Sequence, residues 1–317
     1  MSVYTVISKA ELKEFLTDYN QGELIHFEGI SAGIENTNYF VDTDKGRFVL
    51  TIFEHHTIDE LGYFLNIMAF MAEHNIPTAH PKATLSGGYL KTLKNKPAAL
   101  VERLVGSGVD NPNLKQVEVM GEQLAKFHLA GKDFTEQRDN DRALDWMEQT
   151  FNQLKDKLTD DETSLIEAEI KHQLTLNWSN LPQGVIHADL FCDNALFDGD
   201  KLSGIIDLYY ACNSILLYDL AVMVNDWCRS KNEQDELDFE YDQQKINSMM
   251  NAYQSVRVLT EAEKQAWPTI LRLAALRFYL SRLKDLHQPR AGEMTQTKNP
   301  VVFEKILKTH LKEAKSL

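Results

Sequence analysis

The 317 residues carry 47 acidic against 33 basic side chains, a formal net charge of −14 with a pI near 5.2. That balance disfavours a nucleic-acid backbone or an anionic membrane surface as partner, because both need a basic face. Hydrophobic residues at 43% and charged residues at 25% describe an ordinary globular chain, long enough for two lobes.

Three cysteines, Cys192, Cys212 and Cys228, contain no CxxC pair, which speaks against a disulfide framework or a structural zinc site and for free thiols in a reducing compartment. The N-terminus has no basic stretch followed by an apolar run, and no window approaches the roughly 20 apolar residues that span a bilayer. The expectation is a cytoplasmic protein.

In chain order, Ser8 with Glu11 forms a capping box that opens a helix to Tyr19. Strand-like runs follow at Leu24–Ile30, Asn38–Asp42 and Arg47–Phe53, the last two joined by a turn at Asp44-Lys45-Gly46. A second capping box, Thr57 with Glu60, starts a helix that ends before Pro77. Short strands are expected on either side of Gly87-Gly88, and another over Ala98–Val105. Helical runs then dominate, at Asn113–Ala130 and Thr163–Trp178, and again after Leu216, with Thr260 and Glu263 capping the last long helix. Apolar stretches at Gly184–Ala188, Ala195–Phe197 and Ser203–Ile206 interrupt them. This order predicts an α+β, two-lobed fold: a β-rich N-terminal lobe over 1–104 and an α-rich C-terminal lobe over 105–317, with a ligand cleft where they join near Glu102–Gly106.

The chemistry concentrates in Gly184-Val-Ile-His187-Ala-Asp189-Leu-Phe-Cys-Asp-Asn194, followed by Gly204-Ile-Ile-Asp207. Phosphoryl transfer needs a carboxylate against the acceptor hydroxyl and hard oxygen ligands for Mg²⁺ across the phosphates of ATP. Asp189 suits the first task, Asn194 and Asp207 the second. The step from Asp189 to Asn194 is that of a kinase catalytic loop. His187 joins this centre as a brace for the loop rather than a proton carrier. No second His or Cys is spaced to make it a metal ligand.

His187-Ala-Asp-Leu-Phe-x-Asp-Asn194 closely resembles the aminoglycoside phosphotransferase and choline kinase superfamily, whose fold is protein-kinase-like. Ile206–Cys212, Leu217–Cys228 and Gly29–Asn38 make the chain similar, nearly end to end, to the bacterial homoserine kinases of that superfamily, as do Trp267-Pro and Leu271–Leu283. The resemblance implies Asp189 as catalytic base, Asn194 and Asp207 as Mg²⁺ ligands, and ATP and L-homoserine as substrates. The product would be O-phospho-L-homoserine, a step of threonine biosynthesis. Kinases of choline, methylthioribose or aminoglycosides remain the alternatives, because the catalytic loop does not encode the acceptor. A nucleotide-binding regulator without catalysis is a further one.

Gly29, Ser31, Gly33, Asn36 and Asn38 fall where a phosphate-covering loop belongs, the glycines permitting close backbone approach. Thr51 occupies the strand position of the usual phosphate-binding lysine, which leaves that charge unassigned and Lys82 as one candidate. Val101, Glu102 and Leu104 would present backbone to the adenine edge. For the acceptor, an arginine suits the carboxylate. Arg272, Arg277 and Arg282 cannot share one ligand, since steps of five turn them about 140° apart, and Arg277 is the one selected. Asn225 and Asp226 would line the acceptor side with Trp227, unless Trp227 is core.

Overall fold

Alternating apolar residues and well-placed caps account for most of the N-terminal part. The protein is described here by a computed structural model covering residues 5–30, 36–231, 237–288 and 298–312. Its described residues group into two units, the first holding 5–106 and 203–209, the second 107–202, 210–288 and 298–312. A single cut near residue 104 therefore misses one exchange: the short segment 203–209 packs with the first unit.

In the first unit, α1 (Lys9–Leu16) begins at the Ser8–Glu11 capping box and buries Leu12, Phe15 and Leu16, one helical face. Strands β1 (Leu24–Gly29), β2 (Thr37–Thr43), β3 (Gly46–Ile52), β4 (Leu90–Leu93) and β5 (Lys96–Glu102) form one antiparallel sheet in the order β1-β2-β3-β5-β4. Every second residue of β2 is buried, so Tyr39 and Val41 join Phe48 and Leu50 of β3 and the apolar face of α1 in one core. Helix α2 (Ile58–Glu73) starts at its own capping box, Thr57 with Glu60, and Glu60 is thereby a capping residue.

Gly87-Gly88 is not flanked by two strands. Upstream of it Pro81 makes only an isolated bridge to Val101, as expected of a residue without an N–H. The hairpin turn lies instead at Lys94-Asn95, both at positive φ of 53° and 62°, joining β4 to β5.

The second unit is mainly helical: α3 (Leu114–Ala130), α4 (Leu144–Leu154), α5 (Asp160–Gln173), α6 (Leu217–Trp227), α7 (Gln243–Val256), α8 (Glu261–His287) and α9 (Val301–Lys312). The fifth helix begins three residues before the expected Thr163, because Thr159 and Glu162 make its capping box. Short strands complete the picture: β6 (Gln183–Ile186) pairs with β9 (Cys212–Ile215), β7 (Ala195–Asp198) with β8 (Lys201–Ile205), and β10 (Arg229–Lys231) with β11 (Leu237–Tyr241). Helix α8 is buried on every side from Leu273 to Leu280, the mark of a central helix. No helix among the described residues is long and apolar enough to cross a membrane.

Helices α3 and α7 approach so closely that a methyl group on Gly121 would stand 2.4 Å from the carbonyl oxygen of Met249. Backbone cannot rotate aside as a side chain can. Gly121→Ala gains up to about 1 kcal/mol of helix propensity but forces the helices apart at about 1–3 kcal/mol. The expected outcome is a lower urea midpoint, and an unchanged or raised midpoint would refute the close approach.

Candidate active site

The loop 187–194 leaves β6, whose Val185 and Ile186 are buried and paired with Asn213 and Cys212 of β9. Its backbone is unusual at once: Ala188 stands at φ +66°, a left-handed conformation that an L-residue with a Cβ adopts at roughly 1–2 kcal/mol. Strain of this kind persists only where the surroundings over-determine it. Asp219, in the first turn of α6 and wholly buried, does so. One carboxylate oxygen accepts from His187 N and the other from Ala188 N, both at 2.7 Å.

Two further side chains of the same helix hold the rest of the loop. Trp227 Nε1 donates to Leu190 O at 3.0 Å, and Asp226 Oδ2 accepts from Cys192 N at 2.8 Å. Positions 219, 226 and 227 fall on one side of a 3.6-residue helix, so α6 presents one continuous clamp. The buried charge of Asp219 is compensated in turn. His128 Nε2 lies 3.2 Å from it, His128 Nδ1 lies 2.8 Å from Tyr253 Oη, and Arg257 donates to Tyr253 Oη at 3.0 Å and to Glu263 at 2.8 Å. Burial pushes His128 below its ordinary pKa against the pull of Asp219. The neutral ring then has one consistent arrangement: Nε2–H donates to Asp219 and Nδ1 accepts from Tyr253.

On this base the predicted residues of the loop come together. Asn194 Nδ2 donates to the Asp189 carbonyl at 2.8 Å and approaches its Oδ2 at 3.4 Å. Arg277 Nη1 stands 3.6 Å from Asp189 Oδ1. His187 is fully buried and its Nδ1 accepts from Asp189 N at 3.3 Å, a bracing position. With its nitrogen committed to Asp189, Asn194 keeps Oδ1 as an acceptor for a cation. Among the described residues no group of three or more His, Cys, Asp or Glu is arranged to hold a metal. A Mg²⁺ that keeps phosphate oxygens and waters needs only one or two protein oxygens, and an amide and a carboxylate oxygen are hard donors that suit it.

The acceptor-side expectations land differently. Asn225 is buried, its Nδ2 donating to Leu271 O at 3.0 Å while Oδ1 meets Tyr241 Oη at 3.1 Å and His310 Nε2 at 2.6 Å. It ties α6 to α8 and α9. Asp226 braces the loop, and Trp227 is core. All three turn inward because α6 is buried nearly all round, Asn225 to neighbouring helices and Asp226 and Trp227 to the loop.

In the first unit, Asp207 is half-buried at φ +63°, a conformation that aspartate tolerates. Two residues on, Tyr209 packs edge-on against Phe53 and Phe64 with ring centroids 5.2 and 6.0 Å away. Gly204 admits Leu104 so closely that a Cβ there would meet it at 2.1 Å. Gly29 ends β1 opposite Tyr39. Ser31 and Gly33 lie outside the described residues. Asn36 Oδ1 accepts from Glu54 N at 3.3 Å, and Asn38 Oδ1 from the hydroxyl of Thr51 at 2.8 Å. Val101 is buried in β5, and Glu102 pairs with Lys82 at 3.4 Å, so that lysine already has a carboxylate.

The chain matches the model of the phosphotransferase enzyme family over residues 26–259. It is 45% identical over 308 residues to a homoserine kinase of Methylobacillus flagellatus, covering 97% of this chain and 95% of that one. To a homoserine kinase of Neisseria meningitidis serogroup B it is 40% identical, covering 97% and 99%. In fold it is similar to an amicoumacin kinase solved with AMP-PNP, Ca²⁺ and amicoumacin (TM-score 0.69, 14% identity, 97% of this chain and 93% of that one). A spectinomycin phosphotransferase solved with ADP and spectinomycin is alike to the same degree (TM-score 0.67, 13% identity, 96% and 95%). The chain belongs to the phosphotransferase enzyme family.

Two outcomes follow from the clamp and its supports. Asp219→Asn turns one acceptor into a donor facing a buried N–H, which should cost about 2–3 kcal/mol in urea unfolding; a midpoint equal to the parent's would contradict the grip. His310 is held at about 4 by burial and by the charge of Arg272. Its folded form therefore stays neutral where the unfolded chain, near 6.5, takes a proton. Stability is complete above pH 6.5 and is lost as pH falls towards 4. At pH 5 the loss from His310 is about 2 kcal/mol, and His310→Gln should flatten the slope of midpoint against pH. Parallel slopes for parent and variant would show that His310 is charged in the folded state.

Proposed function

We propose that the chain is a homoserine kinase, transferring the γ-phosphoryl group of ATP to the side-chain hydroxyl of L-homoserine and releasing ADP and O-phospho-L-homoserine. The observation that carries the reading is a carboxylate, Asp189, flanked by Asn194 and Arg277 on a loop whose left-handed turn a buried aspartate stabilises. The near full-length identity to homoserine kinases supplies the acceptor.

Asp189 orients the acceptor hydroxyl and takes its proton as the oxygen bonds to phosphorus. Arg277 and Asn194 fix that carboxylate from two sides, so little motion is left to remove before reaction. Asn194 and Asp207 would hold Mg²⁺, which neutralises charge developing on the transferring phosphoryl group. We assign residues 1–104 to nucleotide binding, with Gly29, Ser31, Gly33, Asn36 and Asn38 over the phosphates and the backbone of Val101, Glu102 and Leu104 at the adenine. Residues 105–317 carry the acceptor and the base. The reaction is a cytoplasmic step of threonine biosynthesis.

An ADP-release assay with L-homoserine, L-serine, L-threonine and choline tests the acceptor. Turnover at low concentration is expected for L-homoserine alone; comparable turnover of choline would overturn the assignment. Asp189→Asn should keep ATP binding and lose roughly 10²–10⁴-fold in kcat, and a variant as active as the parent would remove Asp189 from the chemistry.

A further inference from the structure

Arg229 opens β10, two residues after the end of α6. It is more than nine-tenths buried, and its Nη2 reaches Asp226 Oδ1 only at 3.5 Å. Among the described residues its Nε has no hydrogen-bond partner. A guanidinium is charged at every physiological pH and offers five N–H donors in a fixed fork. Holding one out of water with a single long contact is expensive, and buried donors are nearly always matched. Asp226 is shared, its other oxygen accepting from Cys192 N.

A second guanidinium adds to the imbalance. Arg282 donates to Asn299 O at 2.9 Å and lies 4.5 Å over the ring of Phe303. Burial lowers it to about 10 against the opposing pull of Asp226, with the like charge of Arg229 a smaller push in the same direction as burial. The carboxylates around them are already engaged: Asp189 with Arg277, Asp193 with Lys298 at 3.5 Å, and Asp226 with Arg229 and the loop. Among the described residues these contacts set four cations, Arg229, Arg277, Arg282 and Lys298, against three carboxylates, Asp189, Asp193 and Asp226. Phe191, Phe278 and Phe303, with successive ring centroids 4.6 and 5.1 Å apart, place an apolar cluster beside them. A low-dielectric surrounding strengthens the call for one more anion.

We propose that Arg229, assisted by Arg282, binds the α-carboxylate of the acceptor amino acid and thereby selects an amino-acid alcohol over neutral or cationic alcohols. This rests on the homoserine kinase reading and assigns the carboxylate to a different arginine from Arg277, which stands beside the base. A carboxylate matches the arginine fork in a planar, two-bond contact and supplies the missing negative charge. Through Asp226 and Cys192, Arg229 is tied to the loop three residues beyond Asp189. Arg229 would then be a specificity residue, acting on affinity and leaving the proton transfer to Asp189.

Three measurements test it: kcat and KM for L-homoserine, the same constants for 3-aminopropan-1-ol, which keeps hydroxyl and amine but lacks the carboxylate, and calorimetric titration of L-2-aminobutyrate, which keeps the amino-acid head but lacks the hydroxyl. In Arg229→Gln the KM for L-homoserine should rise roughly 100-fold with kcat changed by less than about threefold. The preference for L-homoserine over 3-aminopropan-1-ol should shrink by a similar factor. Arg229→Lys, which keeps the charge without the fork, should recover part of the affinity, and Arg282→Gln should raise KM in the same direction. An unchanged KM, or an equal loss of kcat for both alcohols, overturns the proposal in favour of a purely structural role. If the parent enzyme phosphorylates other alcohols but not L-homoserine, the homoserine kinase reading fails, and the titration still decides the clamp. Binding of L-2-aminobutyrate by the parent but not by Arg229→Gln supports it; equal binding by both, or none by the parent, overturns it.

Discussion

A single buried carboxylate organises this molecule's chemistry. Asp219 accepts from two successive backbone N–H groups, His187 and Ala188, and in doing so stabilises a backbone conformation that alanine disfavours. Without that pair of bonds the loop has no reason to turn left-handed, and Asp189 would leave β6 in another direction. The bonds are charge-assisted and dry, which makes them strong for as long as Asp219 itself stays compensated. His128, Tyr253, Arg257 and Glu263 provide that compensation in a chain of contacts running from α3 through α7 to the start of α8.

The arrangement divides labour along one helix. The first turn of α6 fixes the loop before Asp189, and its last turn fixes the loop after it through Trp227 and Asp226. Asp189 and Asn194 lie between these anchors, able to hold each other because both ends of their loop are immobile. Asp226 serves twice, bracing Cys192 and reaching Arg229, so Arg229 and the loop are coupled through one side chain.

What could be read in advance was local. The capping boxes at Ser8, Thr57 and Thr260 each depend on a side chain three residues away and appear as expected. The Asp189–Asn194 pair has the same character, a spacing of five within one loop. What could not be read depends on distance along the chain. Asp219 meets His128 across 91 residues, and no pattern near either announces it. The burial of Arg229 is set by packing that no local window contains. The expectation that Asn225 and Asp226 line the acceptor side rests on their place after an apolar run, but α6 is buried nearly all round, so no periodicity marks an outer face. The β4–β5 turn went unnoticed for a plainer reason: Lys94 and Asn95 adopt left-handed conformations usually signalled by glycine.

The account turns on the grip of Asp219, and amide hydrogen exchange reads that grip directly. The backbone N–H groups of His187 and Ala188 should exchange only through global unfolding in the parent protein, and through a far cheaper local opening in Asp219→Asn. Exchange of both amides at the rate of an exposed loop in the parent would show that no such bonds form, and the left-handed turn before Asp189 would lose its support.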